Sequence, residues 1–264
     1  MDILLVGLGN MGLKYLRKLE EMGVGIFIND INEEKAEGIP YTFLHNIEDI
    51  PESITHAIIA IDPKDHVKVA SLLLEKGLKV LLEKPPALSS EEFKAIKDKE
   101  NLFISEIELY NPCLLNVKDE LPRGERVVSR RLNKGIGYFS PLWDLAWHDL
   151  YILDYLFGEV KIENCEANGF YRRLEGVAGN TPFIIEVAWN YKGNTERNLR
   201  VCDYLIDFTK GYVYKGHSRV CSNDKDKLKL MVTSFIYGTY IGGSRERADR
   251  IIGELEKVND FALD

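Results

Sequence analysis

The sequence lacks paired cysteine motifs and long apolar runs. Its 264 residues include four cysteines, Cys113, Cys165, Cys202 and Cys221, and no CxxC pair occurs. This spacing excludes the usual thiolate zinc motifs and does not indicate a disulfide framework, so we expect reduced thiols and no metal site. No apolar run reaches the roughly 18 residues that cross a bilayer. The sequence therefore predicts no membrane-spanning helix.

Basic charge is also scarce. The chain has 34 Lys and Arg residues against 42 Asp and Glu residues, and its formal net charge is −8. This balance argues against nucleic acid or an anionic membrane as a partner. The chain begins Met-Asp and passes directly into an apolar strand without a signal-peptide pattern, so a cytoplasmic protein is expected.

What the sequence does contain is a glycine-rich turn between an apolar strand and a helix. Residues 3–6 predict a buried parallel strand, and a GxGxxG turn follows it. The residues assigned to a dinucleotide here are Gly7, Gly9, Asn10, Met11 and Gly12. Such glycines allow the backbone to approach a pyrophosphate, and the helix N-terminus supplies free N–H groups.

An acidic residue, Asp30, ends the second predicted strand. An acid at this spacing accepts hydrogen bonds from the adenosine ribose hydroxyls. Because a carboxylate repels a 2′-phosphate, the sequence favours NAD as the cofactor, with NADP as the alternative.

Strands and helices continue to alternate, with strands predicted at 56–61, 79–82 and 102–104 and a helix at 67–74. Repeated alternation predicts a parallel sheet with helices on both faces, which binds ligands at the carboxyl ends of its strands. Residues at two of these ends complete the predicted cofactor site: Ile61, Asp62, Pro63, His66, Glu83 and Lys84. A lysine at this rim can donate to a substrate oxygen, although a solvent-facing lysine in a proline turn fits the pattern as well.

Further along, Asp144 and His148 stand four residues apart in an apolar-periodic run. Positions i and i+4 share one face of a helix. Asp144 could then orient His148 and support its protonated form, which is a usual way to build a general base. The alternative is a solvated helix face that carries the two residues by chance.

Together these motifs resemble the glucose–fructose oxidoreductase / inositol dehydrogenase / MocA (Gfo/Idh/MocA) family of sugar and cyclitol dehydrogenases. The resemblance covers roughly residues 1 to 160 and rests on Gly7, Gly9, Gly12, Asp30, Pro63, His66, Glu83-Lys84-Pro85, Tyr110-Asn111-Pro112, Asp144 and His148. It implies an α/β fold: a Rossmann doubly wound parallel sheet in residues 1–112, then an α+β domain in 113–264 with a large, open, mixed and mostly antiparallel sheet. A homodimer through that sheet is expected.

The resemblance also implies an NAD(P)-dependent dehydrogenase that acts on CH–OH groups. Its catalytic trio maps to Lys84, Asp144 and His148. His148 would take the hydroxyl proton, Lys84 would hold the reacting oxygen, and Asp144 would position His148. The expected substrate is a sugar, cyclitol or nucleotide sugar, because residues 108–112 and 144–149 look like those of enzymes that oxidise the 3-hydroxyl of UDP-N-acetylglucosamine. Candidate substrate contacts are Tyr110, Trp147 and Arg130.

The sequence departs from the family pattern at Asp62, Glu106 and Leu109, and Tyr151 stands where a second acid often occurs. Asp62 and Glu106 keep one alternative open, and the short chain keeps a second one open. One is a catalytically idle sensor that binds a dinucleotide or a sugar on the same fold. The other is a reductase of the biliverdin or imine type.

The second half predicts strands at 125–132, 160–170, 182–190, 197–208 and 211–214, and helices at 225–235 and 245–258. A glycine-rich loop at 134–139 carries two aromatics that could stack on a sugar or pack beneath the loop. Arg130, Arg131, Arg172 and Arg173 could bind a phosphate-bearing substrate, although such arginines are more often ordinary surface charges.

Overall fold

The computed structural model describes residues 1–137, 139–223, 225–241 and 244–258. These residues form two compact units. The first comprises Met1–Ile107 with Asp226–Ala248, and the second comprises Glu108–Lys225 with the chain from Asp249. The domain boundary predicted between residues 112 and 113 stays a prediction. The two units divide the chain after residue 107 instead, and residues 226–248 return to the first unit.

The helices and strands alternate first and then give way to a run of strands. The first stretch contains β1 (Asp2–Val6), α1 (Asn10–Met22), β2 (Gly25–Asn29), β3 (Thr42–Phe43), β4 (Ile54–Ile59), α2 (His66–Glu75), β5 (Lys79–Leu82), α3 (Ser90–Phe93) and β6 (Leu102–Ile104). The second contains α4 (Pro112–Val117), β7 (Val127–Leu132), α5 (Trp147–Phe157), β8 (Val160–Asn168), β9 (Tyr171–Ala178), β10 (Thr181–Ala188), β11 (Glu196–Val201), β12 (Tyr204–Asp207), β13 (Tyr212–Lys215), β14 (Ser218–Ser222), α6 (Lys227–Ile236) and α7 (Arg245–Lys257).

The first unit is built on a six-stranded sheet in the order β3-β2-β1-β4-β5-β6, with every pairing parallel. Ile3, Leu4 and Leu5 of β1 are fully buried, as expected for a central strand covered on both faces. Helix α6 joins this unit through Phe235, whose ring packs edge-on against His56 at 5.3 Å and Phe103 at 5.5 Å. The predicted doubly wound parallel sheet is confirmed.

The second unit contains an eight-stranded sheet in the order β14-β13-β12-β11-β7-β10-β9-β8. Only the β7–β10 pair is parallel, so the predicted open, mostly antiparallel sheet is confirmed. Helix α5 contacts one face through Asp149, which accepts hydrogen bonds from Ser129 and Arg131 of β7.

One strand prediction for this unit was wrong, and two strands were missed. The single strand expected at 197–208 is two strands, because Cys202 adopts a positive φ of 49° and turns the chain between β11 and β12. Strands β9 and β14 were not predicted. In β9, Arg172 is buried and donates to the backbone oxygens of Gly169 and Tyr171, so the expectation of a surface charge was also wrong.

The cysteines likewise differ from the expectation. Cys113 of α4 and Cys221 of β14 form a disulfide with a Cα–Cα distance of 5.6 Å, whereas Cys165 and Cys202 are not disulfide-bonded. The two partners are 108 residues apart in sequence. Tertiary topology brings them together, which the wide spacing alone does not reveal. Within the described ranges, no helix is long and apolar enough to span a membrane.

Candidate active site

At Gly7 and Gly12, in the turn after β1, the backbone packs so closely that no side chain fits. Gly7 has a φ of +99°, and a Cβ there would come 2.3 Å from the carbonyl oxygen of Ala60. A Cβ on Gly12 would come 1.9 Å from the carbonyl oxygen of Gly7. Both glycines are therefore required by the protein itself.

Gly9 differs from them. Its φ is −77°, which any residue adopts, and a Cβ there would meet no protein atom within 4 Å. No side chain of the described residues caps the N-terminus of α1, which starts at Asn10. The space beside Gly9 and the uncapped N–H groups of Asn10 and Met11 fit the pyrophosphate of a dinucleotide.

Asp30 lies at the end of β2 and is almost fully buried. Its carboxylate accepts hydrogen bonds from the backbone N–H of Leu8 at 2.7 Å and of Asn32 at 2.9 Å, and Lys35 Nζ lies 3.2 Å from both oxygens. Burial alone would raise the pKa of Asp30, but these donors outweigh burial and lower it. The sequence analysis missed Lys35, and also the fully exposed side chain of Ile31 next to Asp30.

The turn after β4 is tied to the motif after β5 by His66. Asp62 caps a 3-10 turn, Pro63–Asp65, by accepting a hydrogen bond from the N–H of Lys64 at 3.1 Å. The buried imidazole of His66 lies 2.8 Å from the carbonyl oxygen of Pro85 and 3.2 Å from that of Ile61. Burial lowers the pKa of His66 to about 4. A neutral imidazole has one N–H group, so His66 donates a hydrogen bond to one of these carbonyl oxygens and only contacts the other. Both ring nitrogens face backbone rather than solvent.

Glu83 is held from three sides beneath Lys84. The hydroxyl groups of Tyr15 and Ser105 both donate to Glu83 Oε1, the latter at 3.0 Å, and the backbone N–H of Lys84 donates to Oε2 at 3.2 Å. Burial, and after it the charge of Glu83, raises the pKa of Tyr15 well above its usual range. The peptide bond between Lys84 and Pro85 is cis, and Lys84 itself is only partly buried.

In the second unit, Asp144 and His148 lie where the chain enters α5. Asp144 belongs to a π-helical turn, Leu142–Ala146, and His148 to the first turn of α5, so the predicted single α-helix was wrong in detail. Among residues 141–157 only Asp144, His148 and Tyr155 are partly exposed, and all the others are buried. π-Helical turns occur frequently at functional sites. The two polar side chains thus lie on the exposed stripe of an otherwise buried segment.

His148 contacts a tyrosine on the same helix. Its Nδ1 lies 3.2 Å from the hydroxyl oxygen of Tyr151, which also accepts a hydrogen bond from the backbone N–H of Glu108 at 2.9 Å. Tyr151 is fully buried. The tyrosine therefore fixes the imidazole from the side opposite to Nε2.

Two of the three candidate substrate residues are buried, and the third lies on the other face of the sheet. Trp147 is fully buried and Tyr110 is nearly so. Arg130 alternates with Ser129 and Arg131, which contact α5, so it faces the other side of the sheet and pairs with Glu186 at 2.6 Å. Direct substrate contact by Trp147, Tyr110 or Arg130, expected from the sequence, stays a prediction.

Glu106, one of the departures from the family pattern, is fully buried and pairs with Arg247 at 2.7 Å within the first unit. Leu109 is fully buried in the second unit.

Within the described part of the chain, no group of three or more His, Cys, Asp or Glu side chains is arranged to hold a metal ion. Of the expected trio, Lys84 belongs to the first unit, and Asp144 and His148 to the second. Tyr138 of the glycine-rich loop lies outside the described residues.

Comparison with known proteins extends over both units. Residues 1–101 match the model of the oxidoreductase family with an NAD-binding Rossmann fold, GFO_IDH_MocA. No curated protein sequence matches the chain.

Among solved structures, UDP-N-acetylglucosamine 3-dehydrogenase GnnA from Acidithiobacillus ferrooxidans superposes with a TM-score of 0.85 at 17% identity, over 98% of this chain and 96% of that chain. The WlbA dehydrogenase from Thermus thermophilus, in complex with NAD and UDP-GlcNAcA, gives a TM-score of 0.76 at 17% identity, over 100% and 96%. An oxidoreductase from Thermotoga maritima gives 0.82 at 13% identity, over 97% and 94%. At these identities the superpositions show the fold alone. Residues 1–101 thus match the model of the NAD-binding Rossmann fold of the Gfo/Idh/MocA oxidoreductases, which confirms for this part of the chain the resemblance predicted from the sequence.

Proposed function

We propose that the protein is an NAD-dependent dehydrogenase that oxidises a hydroxyl group of a sugar, cyclitol or nucleotide sugar. The observation that carries this proposal is the exposed stripe of Asp144 and His148 on a buried helix, with the imidazole held by Tyr151. The family of residues 1–101 supports the cofactor class. The names of two similar structures, a UDP-N-acetylglucosamine 3-dehydrogenase and a dehydrogenase bound to UDP-GlcNAcA, support the substrate class.

The cofactor would be held mainly by backbone. Gly7 and Gly12 keep the turn tight, and Gly9, Asn10 and Met11 present N–H groups and open space to the pyrophosphate. Asp30 would bind the adenosine ribose, and the exposed Ile31 would cover the adenine. Bound NAD supplies the hydride acceptor. Ile61, Asp62 and Pro63 would form the neighbouring edge of this site.

Proton transfer is assigned to His148. With Nδ1–H donating to the Tyr151 hydroxyl, Nε2 carries the lone pair that takes the substrate proton, and Asp144 stabilises the resulting imidazolium. Lys84 would donate to the reacting oxygen and stabilise negative charge that develops on it. Glu83 and His66 act through the backbone, because they fix Lys84 and Pro85 by hydrogen bonds.

We favour the dehydrogenase over both alternatives. The sensor hypothesis rested on Asp62 and Glu106, and each now has a local role: Asp62 caps its own turn and Glu106 pairs with Arg247. No described contact favours a biliverdin- or imine-type reductase.

Tyr110 and Trp147 are proposed to support the substrate pocket from beneath. A homodimer and a cytoplasmic location stay predictions, and light scattering during gel filtration tests the first.

A panel of free and UDP-linked sugars and inositols, followed at the NADH absorbance band, tests the proposed function. At least one compound should support steady NADH production. Lys84→Ala and His148→Ala should each lower turnover by about 100-fold or more, while NADH binding measured by fluorescence stays within twofold of wild type. Lys64→Ala, at an exposed lysine two residues from the Asp62 cap, is the matched control and should keep turnover. Undiminished turnover in either trio variant would refute the assigned mechanism.

A further inference from the structure

Two arginines lie side by side on the face of the second unit's sheet that α5 contacts. Arg131 of β7 and Arg197 of β11 are direct cross-strand partners, so their side chains share a face. Like charges in this position are destabilising unless anions compensate them. The carboxylates near each arginine therefore decide whether its charge is balanced within the protein or can bind an anionic ligand.

Arg131 is compensated within the protein. Its Nε lies 3.2 Å from Asp149 and its Nη1 lies 3.6 Å from Glu108, and all three side chains are buried. Its guanidinium also lies over the ring of Phe208, 5.5 Å from the centroid. Arg131 is thus part of the folded core and its charge is balanced by carboxylates, although its buried Nη2 has no hydrogen-bond acceptor within the described ranges.

Arg197 is not compensated in this way. Its Nε and Nη2 donate to Asn133 Oδ1 at 3.3 and 3.2 Å, and no carboxylate of the described residues lies within salt-bridge distance of it. Partial burial and the charge of Arg131 lower its pKa, while Asp144 is among the carboxylates that oppose this effect. The side chain is solvent-accessible. An accessible cation therefore lies within electrostatic range of the proposed catalytic residue Asp144.

Asn133 adds a second donor. Only 5% of the residue is exposed. Because an arginine can only donate, the bonds from Arg197 fix Oδ1 towards it and set the orientation of the amide. Asn133 Nδ2 is then buried, and within the described ranges it finds no acceptor. A buried donor without an acceptor costs about 1–3 kcal/mol, and a ligand acceptor would remove this cost.

We propose that Arg197 and Asn133 form a subsite for an oxyanion, a carboxylate or a phosphate, on the substrate of the dehydrogenase. The inference rests on the proposed function, since it names the substrate class of that site. Both side chains offer only donors to a ligand. A set of donors selects a group that only accepts, whereas a sugar hydroxyl would also need an acceptor. The charge of Arg197 makes the bond to an anion stronger than a neutral bond.

Isothermal titration calorimetry with two matched pairs of probes tests this subsite without turnover. The pairs are glucose with glucuronate, and UDP-glucose with UDP-glucuronate. Wild-type protein should bind at least one anionic probe about tenfold more tightly than free glucose. In Arg197→Gln this preference should disappear, and in Arg197→Lys part of it should remain. Arg200→Gln, at an exposed position on the opposite face of β11, is the matched control and should bind like wild type.

The two pairs separate the sources of the anion. If Arg197→Gln weakens only glucuronate and UDP-glucuronate, the subsite binds a carboxylate; if it weakens both UDP-sugars equally, the subsite binds a phosphate. Unchanged binding of all four probes in Arg197→Gln, with a thermal midpoint like that of wild type, would overturn the subsite alone. If wild type binds none of the probes and produces no NADH with any compound of the panel, the proposed function fails with it.

Discussion

The two units prepare their polar groups for ligands in opposite ways. In the first unit the polar side chains near the glycine turn already have partners: Asp30, Glu83 and His66 are each bonded by backbone or neighbouring hydroxyl groups. In the second unit Asn133 Nδ2 is buried without an acceptor within the described ranges, and Arg197 has no carboxylate partner there. The polar side chains of the first set therefore have protein partners for their hydrogen bonds, whereas Asn133 and Arg197 keep donor groups that a ligand can use.

This difference fits the proposed tasks of the two units. A dinucleotide is the same molecule in every enzyme that uses it, and main-chain N–H groups and glycine space suffice to hold its pyrophosphate. A substrate differs between enzymes, and its recognition depends on a few placed side chains. Open hydrogen-bonding capacity is therefore expected where the variable ligand binds.

The largest expected effect is on stability, and it distinguishes Gly7, which the fold requires, from Gly9, which we expect only cofactor binding to require. Gly7→Ala places a Cβ 2.3 Å from a backbone oxygen at a φ of +99°, and it should destabilise the first unit by about 5 kcal/mol. Gly9→Ala meets no protein atom, so it should keep the thermal midpoint and weaken NADH binding about tenfold or more. Calorimetric unfolding and fluorescence titration of both variants measure this. Equal stability in the two variants would contradict the distinction.

The next effect belongs to the second unit, which contains all four cysteines. Reducing the Cys113–Cys221 disulfide opens a covalent loop of 108 residues and should lower the free energy of unfolding by about 4 kcal/mol. Thermal unfolding with and without reductant measures this loss, and Cys165→Ser serves as the control. Alkylation of all four cysteines in denaturant without a reductant would show that the disulfide is absent.

A pH effect of about 3 kcal/mol is expected from His66 in the first unit. Its pKa falls to about 4 on folding, so below pH 6.5 the unfolded chain binds a proton that the folded protein excludes. The stability is complete above pH 6.5 and is lost as the pH falls towards 4. Urea unfolding at several pH values should show a shallower loss in His66→Gln than in wild type. Parallel curves would rule out this origin.

The smallest effect concerns cofactor choice. Lys35 Nζ lies 3.2 Å from both oxygens of Asp30 and offsets the charge that repels a 2′-phosphate. Lys35→Ala should weaken NADPH binding roughly threefold relative to NADH, because an exposed ion pair contributes up to about 1 kcal/mol. Fluorescence titrations with both cofactors measure the ratio, and the exposed Lys68→Ala is the control. An unchanged ratio of the two affinities would show that Lys35 does not contribute to the choice between NADH and NADPH.

The sequence predicted the first unit better than the second for a physical reason. Buried parallel strands such as β5 and β6 are short apolar runs between helices, so local composition identifies them. Strand β9 was missed because Arg172, Arg173 and Glu175 mask its alternation. The Asn133–Arg197 bond joins residues 64 positions apart, and the Cys113–Cys221 disulfide spans an even longer loop. Such pairs depend on sheet register and topology, which no local pattern contains.

The most direct test of the central claim is the rate of hydride transfer in wild type and His148→Ala, measured by rapid mixing at saturating NAD with a substrate from the panel. If His148 is the general base, the variant should be about 100-fold slower at pH 7, and its rate should rise with pH as hydroxide replaces the imidazole. NADH binding should be unchanged. A variant rate within about threefold of wild type at pH 7 would contradict the account.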